Sequence, residues 1–240
     1  MQYLGGKSRI ARAIVAAALE HTHTHTRWVE PFVGGASVLE AADRSGAFAE
    51  LHAGDANADL IELYRAVADG WDPPDELSFA DWQALRDLGP MPLRTFAGFG
   101  CSFGGKWFQG YARGRSRNYA GSAARGLRRA RGTFVRTEWH QGDYSALSGL
   151  VDARTVLYCD PPYAATTGYK AIGGTFDHAA FWRWCRLMAG TGARVFVSEY
   201  RAPDDVPVRE VWSRTGGQSL NNTGTGDRAA ASERLFLVEG

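Results

Sequence analysis

Thr155-Val156-Leu157-Tyr158-Cys159-Asp160-Pro161-Pro162-Tyr163 is the stretch from which the rest of the chain is read. Thr155 to Cys159 is a strongly apolar run of strand length, as a buried strand of a parallel sheet requires. Pro161 and Pro162 fix φ near about −65° and remove two amide donors, which leaves carbonyls as unpaired acceptors. A carboxylate precedes those carbonyls and an aromatic ring follows them. The carboxyl end of a strand is where open α/β sheets bind ligands. Asp160 and the Pro161 carbonyl could accept both N–H bonds of an amine on a flat ring, with Tyr163 stacked on that ring. A strand ending in a plain Pro-Pro turn is the alternative.

Outward from this stretch, strands and helices alternate, which predicts an α/β fold with a mainly parallel sheet. Toward the N-terminus the spacing of Ile10, Ala13, Ile14 and Ala17 predicts a helix over Ser8 to Leu19, capped by Ser8. Arg27 to Glu30 reads as a strand running into the turn Pro31-Phe32-Val33-Gly34-Gly35, then a helix from Ala36 to Asp43 and a strand from Ala47 to Ala53. Asn57 to Ala68 is a helix with Leu60, Ile61, Tyr64 and Val67 on one face. Beyond Tyr163 the pattern predicts a helix from His178 to Met188 and strands at Arg194 to Ser198, Val206 to Trp212 and Leu235 to Glu239.

The middle reads differently. Residues 69–132 are rich in Gly, Pro, Arg and aromatics, with one helix near Phe79 to Leu88, and strand-like alternation returns at Thr133. The expected organisation is a catalytic domain of 1–68 and 133–240 interrupted by a basic insertion of 69–132. The net charge is only +1, yet no acidic residue lies between Asp87 and Glu138. Lys106, Arg113, Arg115, Arg117, Arg125, Arg128, Arg129 and Arg131 fall in that interval, with Arg94 and Arg136 near its ends. Such a segment is expected to contact nucleic-acid phosphates, the competing reading being a solvated cationic surface. Phe99 to Phe108 adds flat side chains and glycines to those cations.

The motifs together resemble the Dam-type D12 class of N6-adenine-specific DNA methyltransferases, with phage-borne members among them. Asp160-Pro161-Pro162-Tyr163 is similar to the catalytic motif of amino-methyltransferases, and four further stretches follow in the family's order. Tyr3-Leu4-Gly5-Gly6-Lys7 resembles the segment holding the methionine end of the cofactor, and Glu30-Pro31-Phe32-Val33-Gly34-Gly35-Ala36-Ser37 its Gly-rich loop. Asp55 in Gly54-Asp55-Ala56-Asn57 matches the acidic residue on the ribose hydroxyls, and Asp143-Tyr144 the pair cradling the cofactor adenine. Asp55 also follows Gly34 by about 20 residues, the spacing at which nucleotide-binding α/β folds reach ribose hydroxyls. Ala36 departs from the pattern, standing where many relatives carry a second spaced glycine.

The resemblance implies a Rossmann-like class I methyltransferase fold, S-adenosylmethionine as cofactor and S-adenosylhomocysteine as product. It also implies double-stranded DNA as partner with a flipped-out target base, no metal, and a monomer without an obligate protein partner. An N4-cytosine enzyme, an RNA or protein amino-methyltransferase and a catalytically silent DNA-binding relative remain open. The start of the chain has no basic stretch followed by an apolar one, so a cytoplasmic location in a bacterium or phage-infected cell is expected. Cys101, Cys159 and Cys185 are widely spaced, which speaks against a disulfide framework or a zinc site, and Cys159 is expected to pack in its strand. His21-Thr22-His23-Thr24-His25-Thr26 lacks a nearby Cys or acidic partner and reads as a solvated connector. Trp82, Trp182 and Trp184 read as core, and Phe176-Asp177 as the end of a loop that could close over the base. Residues 216–226, between Arg214 and Arg228, read as a mobile loop that could touch DNA.

Overall fold

The computed structural model describes residues 1–114, 117–163, 176–215 and 232–240. Seven strands form one sheet in the order β3-β2-β1-β4-β5-β7-β6. They are β1 (Arg27–Glu30), β2 (Glu50–Asp55), β3 (Thr137–Gln141), β4 (Thr155–Cys159), β5 (Arg194–Glu199), β6 (Val208–Thr215) and β7 (Ser232–Val238). The first five are parallel, and β7 lies antiparallel between β5 and β6. This is the mainly parallel, Rossmann-like methyltransferase arrangement that was expected. Its order reverses between β1 and β4, and the crevice at such a switch point is where α/β sheets bind ligands.

Period-2 alternation sends the side chains of the central strands into two cores. Trp28, Val156, Tyr158 and Phe196 face α1 (Ala11–Leu19), α2 (Ser37–Ser45), α3 (Ala58–Ala68) and α6 (Tyr119–Arg136). Val29, Leu157, Cys159, Val195 and Val197 face α7 (His178–Ala189). Buried on both faces, β4 therefore reads as a continuous apolar run.

Several elements differ from expectation. Ser8 does not cap α1: the helix starts at Ala11, and the Lys7 carbonyl accepts from the Ile10 and Ala11 amides. That turn draws the Lys7 backbone into the helix start. α4 (Phe79–Arg86) lies where expected, followed by the short α5 (Pro92–Thr95) and a π-helical turn at Phe96–Gly100. The larger correction is α6, which occupies the basic segment and runs to Arg136, past the expected return of strand at Thr133 and across the 132/133 boundary. Asn118 caps it, its Oδ1 accepting from the Gly121 amide at 2.7 Å. Its buried stripe of Ala120, Ala123, Ala124, Leu127, Ala130 and Phe134 has helical spacing but is mostly alanine, so its apolar contrast in the sequence is low. Trp82, Trp182 and Trp184 are buried, as expected.

Candidate active site

The Gly-rich turn connects β1 to α2. The Gly34 amide donates to Asp55 Oδ2 at 3.0 Å, and the Asn57 amide donates to Oδ1 at 2.9 Å. One carboxylate thus ties the turn to the start of α3, where the Asn57 side chain caps the helix. The Tyr64 hydroxyl, which no sequence motif marks, donates to the Gly34 carbonyl. Gly34 has φ +43°, and a Cβ there would lie 2.9 Å from the Tyr3 ring, so the first motif packs directly on the second. Burial raises the Asp55 pKa, while the two amides oppose that shift.

Ala36 stands where the backbone favours the glycine of the family pattern: it is the N-cap of α2 with φ 56°, a left-handed conformation, and is buried. Alanine tolerates this at a cost of about 1 kcal/mol, and a β-branched residue much less readily. Ala36→Gly is expected to hold or slightly raise the melting temperature. Ala36→Val is expected to lower it by about 5–10 °C, through backbone strain plus overpacking, measured by calorimetry.

At the switch point, Lys7 Nζ is 2.9 Å from Asp160 Oδ1 and 4.0 Å from Glu233 Oε2. It also donates to the Gly5 carbonyl at 3.1 Å and stands 4.7 Å from the centre of the Tyr163 ring. Burial disfavours the ammonium, but the facing carboxylates of Asp160 and Glu233 outweigh burial and hold the Lys7 pKa above its usual value. Burial raises Asp160 against the opposing pull of Lys7. The Tyr163 hydroxyl donates to Glu233 Oε2 at 2.7 Å, and its ring meets Tyr200 edge-on at 4.6 Å. Tyr163 is therefore turned inward here. Glu233 and Tyr200 were missed in the sequence: they come from β7 and the end of β5, and no local pattern distinguishes them.

Glu30 is buried beneath this group, and Trp28 Nε1 donates to its Oε2 at 2.9 Å. Burial first, with Asp160 adding, lifts the Glu30 pKa well above 4.5, against the Trp28 bond. An acid whose pKa is higher folded than unfolded takes up a proton on folding. Its contribution is present below the unfolded value and is lost as pH rises toward the folded one. The wild type is expected to lose stability relative to Glu30→Gln from about pH 4.5 upward, read from melting temperature against pH.

Asp143 caps the 3-10 helix Tyr144–Leu150, its Oδ1 accepting from the Ser145 amide at 2.9 Å. The Gly142 amide donates to the Asp55 carbonyl at 3.2 Å, so the Asp55 and Asp143-Tyr144 stretches are neighbours. Tyr144 stacks on Phe32 at 5.7 Å, and Phe176 lies 5.9 Å from each ring. Phe176 thus packs with Phe32 and Tyr144, and the Gly-rich loop before it, expected to close over the base, lies outside the described residues. Cys159 is buried and burial raises its thiol well above the usual range, consistent with strand packing.

The basic segment is changed most by tertiary structure. Arg128 binds Asp72 at 2.7 Å and Asp75 at 2.6 Å and donates to the Pro73 carbonyl, while Arg129 Nε is 2.9 Å from Glu40. Arg94 pairs with Asp59 and Arg136 with Asp43. Arg128 and Arg129, expected to meet phosphates, are therefore held by carboxylates from other parts of the chain. Arg113 stacks over Phe79 at 4.5 Å and Arg117 over Tyr119 at 5.0 Å, while Arg125 donates to Ser122. Lys106 is exposed beside Gly105, where a Cβ would come within 2.7 Å of the Tyr3 backbone. Arg115, Arg228 and residues 216–226 lie outside the described residues. No helix among the described residues is long and apolar enough to cross a membrane.

The fold is α/β, and a match to a family of methyltransferases supports an enzyme of that class. The D12 class N6 adenine-specific DNA methyltransferase family model matches residues 3–85, and over that stretch the chain carries this family's signature, which bears out the resemblance and supports a DNA methyltransferase. The match takes in Lys7, the Gly-rich loop and Asp55 and ends before Asp160. Among solved structures, the chain is similar to the rRNA methyltransferase AviRa from Streptomyces viridochromogenes, at 15% identity and TM-score 0.48, covering 96% of this chain and 84% of that one. It is also similar to precorrin 8W decarboxylase, the product of gene MT0146 of Methanobacterium thermoautotrophicum, at 12% identity and TM-score 0.42, covering 97% and 90%. No curated protein matches the chain in sequence.

Proposed function

We propose that this chain transfers a methyl group from S-adenosylmethionine to the exocyclic N6 of an adenine flipped out of double-stranded DNA. The observation that carries the proposal is the placement of the Lys7 ammonium, 2.9 Å from Asp160 and 4.7 Å from the Tyr163 ring centre. A carboxylate that holds a nitrogen donor beside an aromatic ring supports the binding of a target amine there. The residues also suit the cofactor: a buried cation for its carboxylate in Lys7, a close-approach turn at Gly34-Gly35, a two-amide carboxylate for ribose in Asp55, and aromatic rings at Phe32 and Tyr144.

When bound, S-adenosylmethionine supplies a methyl group already activated on a sulfonium. Asp160 and the Pro161 carbonyl accept the two N6–H bonds, which favours a more tetrahedral nitrogen and frees its lone pair from the purine. Tyr163 supplies the stacking surface once the base displaces Lys7 from its ring, and Lys7 is then released toward the cofactor carboxylate. The catalysis is positioning and electrostatics, with no covalent enzyme intermediate, and the proton given up by the methylated nitrogen passes by way of Asp160 to water.

The decisive assay incubates the protein with unmethylated DNA and labelled S-adenosylmethionine and identifies the modified nucleoside by mass spectrometry. N6-methyldeoxyadenosine is expected, whereas N4-methyldeoxycytidine or no product would overturn the assignment. For the DNA side, Lys106, Arg113 and Arg117, already among the cations expected to meet phosphates, remain the proposed contacts, while Arg128 and Arg129 do not. Each of Lys106→Ala, Arg113→Ala and Arg117→Ala is expected to reduce the slope of log affinity against log salt by about 0.9, while Arg128→Ala leaves the slope unchanged.

A further inference from the structure

His52 on β2 and Glu138 and His140 on β3 come together on one face of the sheet edge. Their register is His52 opposite Glu138 and Gly54 opposite His140, so period-2 alternation places all three side chains on the same side. His52 Nδ1 is 3.3 Å from His140 Nε2 and 3.5 Å from Glu138 Oε2, and His140 Nε2 is 3.8 Å from Glu138 Oε1. Among the described residues this is the only group of three or more metal-capable side chains, their ligand atoms lying within 4.8 Å of one another.

Those spacings have a chemical meaning. In a tetrahedral zinc site with Zn–N bonds of about 2.0–2.1 Å, two ligand nitrogens lie about 3.3–3.4 Å apart. The His52–His140 separation falls there already, and the flexible, largely exposed Glu138 needs only a small side-chain shift. The second ring nitrogen of His52 faces Glu50 Oε2 at 3.8 Å, and Glu50 is itself held by Arg27 at 2.7 Å. At 3.8 Å that carboxylate lies beyond hydrogen-bond reach of His52 and favours a cation at this site through its charge.

We propose that His52, Glu138 and His140 form a site for a divalent transition-metal ion of the zinc type, with water in the fourth position. The ion staples β3, which among the described residues pairs only with β2, to the body of the sheet. The same two strands end at Asp55 and Gln141, just before Asp143. The staple is structural and stands whether or not the methyl-transfer reading holds. No local pattern marks it, because His52 and His140 are 88 residues apart, whereas the conspicuous His21–His25 run falls between α1 and β1.

The test adds cobalt(II) alone, then zinc(II) alone, to the full metal-stripped chain without DNA or S-adenosylmethionine. One equivalent of cobalt is expected to give the visible absorption of a four-coordinate ion, displaced by zinc. Zinc held at about a hundredfold its dissociation constant is expected to raise the melting temperature by about 5–10 °C. His140→Ala should abolish both signals, and Glu138→Gln, at an exposed position that leaves folding intact, should weaken zinc affinity at least about tenfold. A His23→Ala/His25→Ala variant should keep both. The proposal is overturned if wild type gives neither signal, if both survive in His140→Ala, if zinc affinity is unchanged in Glu138→Gln, or if the signals are lost only with His23 and His25.

Discussion

Asp160→Ala is expected to lower methyl transfer by about 10²–10³-fold in single turnover while leaving DNA affinity within about threefold, because it removes a preorganised acceptor aimed at the reacting amine. The alanine variant also strands Lys7. In the native site its ammonium is 2.9 Å from Asp160 but 4.0 Å from Glu233, so losing Asp160 leaves a buried cation with only a distant partner. Removing one member of a buried pair typically costs about 3–5 kcal/mol, and part of that would appear as a lower melting temperature. Asp160→Ala/Lys7→Met separates the two effects. It is expected to recover much of the lost stability without recovering transfer, since the cation that needed a partner is gone and the acceptor is still missing. Turnover by either variant at the wild-type rate would remove Asp160 from the chemistry.

Asp55→Ala is expected to reach further into the structure than its position suggests. Its oxygens hold the amides of Gly34 and Asn57 at 3.0 and 2.9 Å, so the substitution leaves two backbone donors without their acceptor. At about 1–2 kcal/mol each the expected loss is about 2–4 kcal/mol, or about 5–15 °C in melting temperature. If the carboxylate also receives the ribose hydroxyls, S-adenosylmethionine affinity falls by about a hundredfold or more in calorimetric titration at a temperature where the variant is folded. An intact affinity in a destabilised protein would leave Asp55 a purely structural tie. An intact stability would contradict the hydrogen bonding itself.

Much of this architecture follows from local sequence. The apolar run Thr155–Cys159, with prolines beyond Asp160, determined a buried parallel strand ending at a ligand crevice, and β4 is that strand. The bounds of β1 follow likewise, as do the helical spacings of α3, α4 and α7. The grouping of Lys7, Gly34-Gly35, Asp55, Asp143 and Asp160 came from the resemblance to the D12 class, since each residue by itself marks only a turn. The left-handed backbone at Ala36 was not legible, although the missing family glycine marked the position.

Tertiary structure alone decided the rest, because electrostatics and ligation depend on distance in space. The acid-free interval from Asp87 to Glu138 promised a bare cationic surface, yet Glu40, Asp43, Asp59, Asp72 and Asp75 reach it from other segments and neutralise much of it. An alanine stripe hid α6 until its neighbours were present to pack against it. Glu233 and Tyr200 joined Asp160 only through the antiparallel placement of β7 beside β5. His52 met Glu138 and His140 only through the β2–β3 register. Sequence by itself determined what lies within a few bonds of a turn or a periodic face. Which charges meet, and where, waited for the sheet to bring distant segments within a few ångströms of one another.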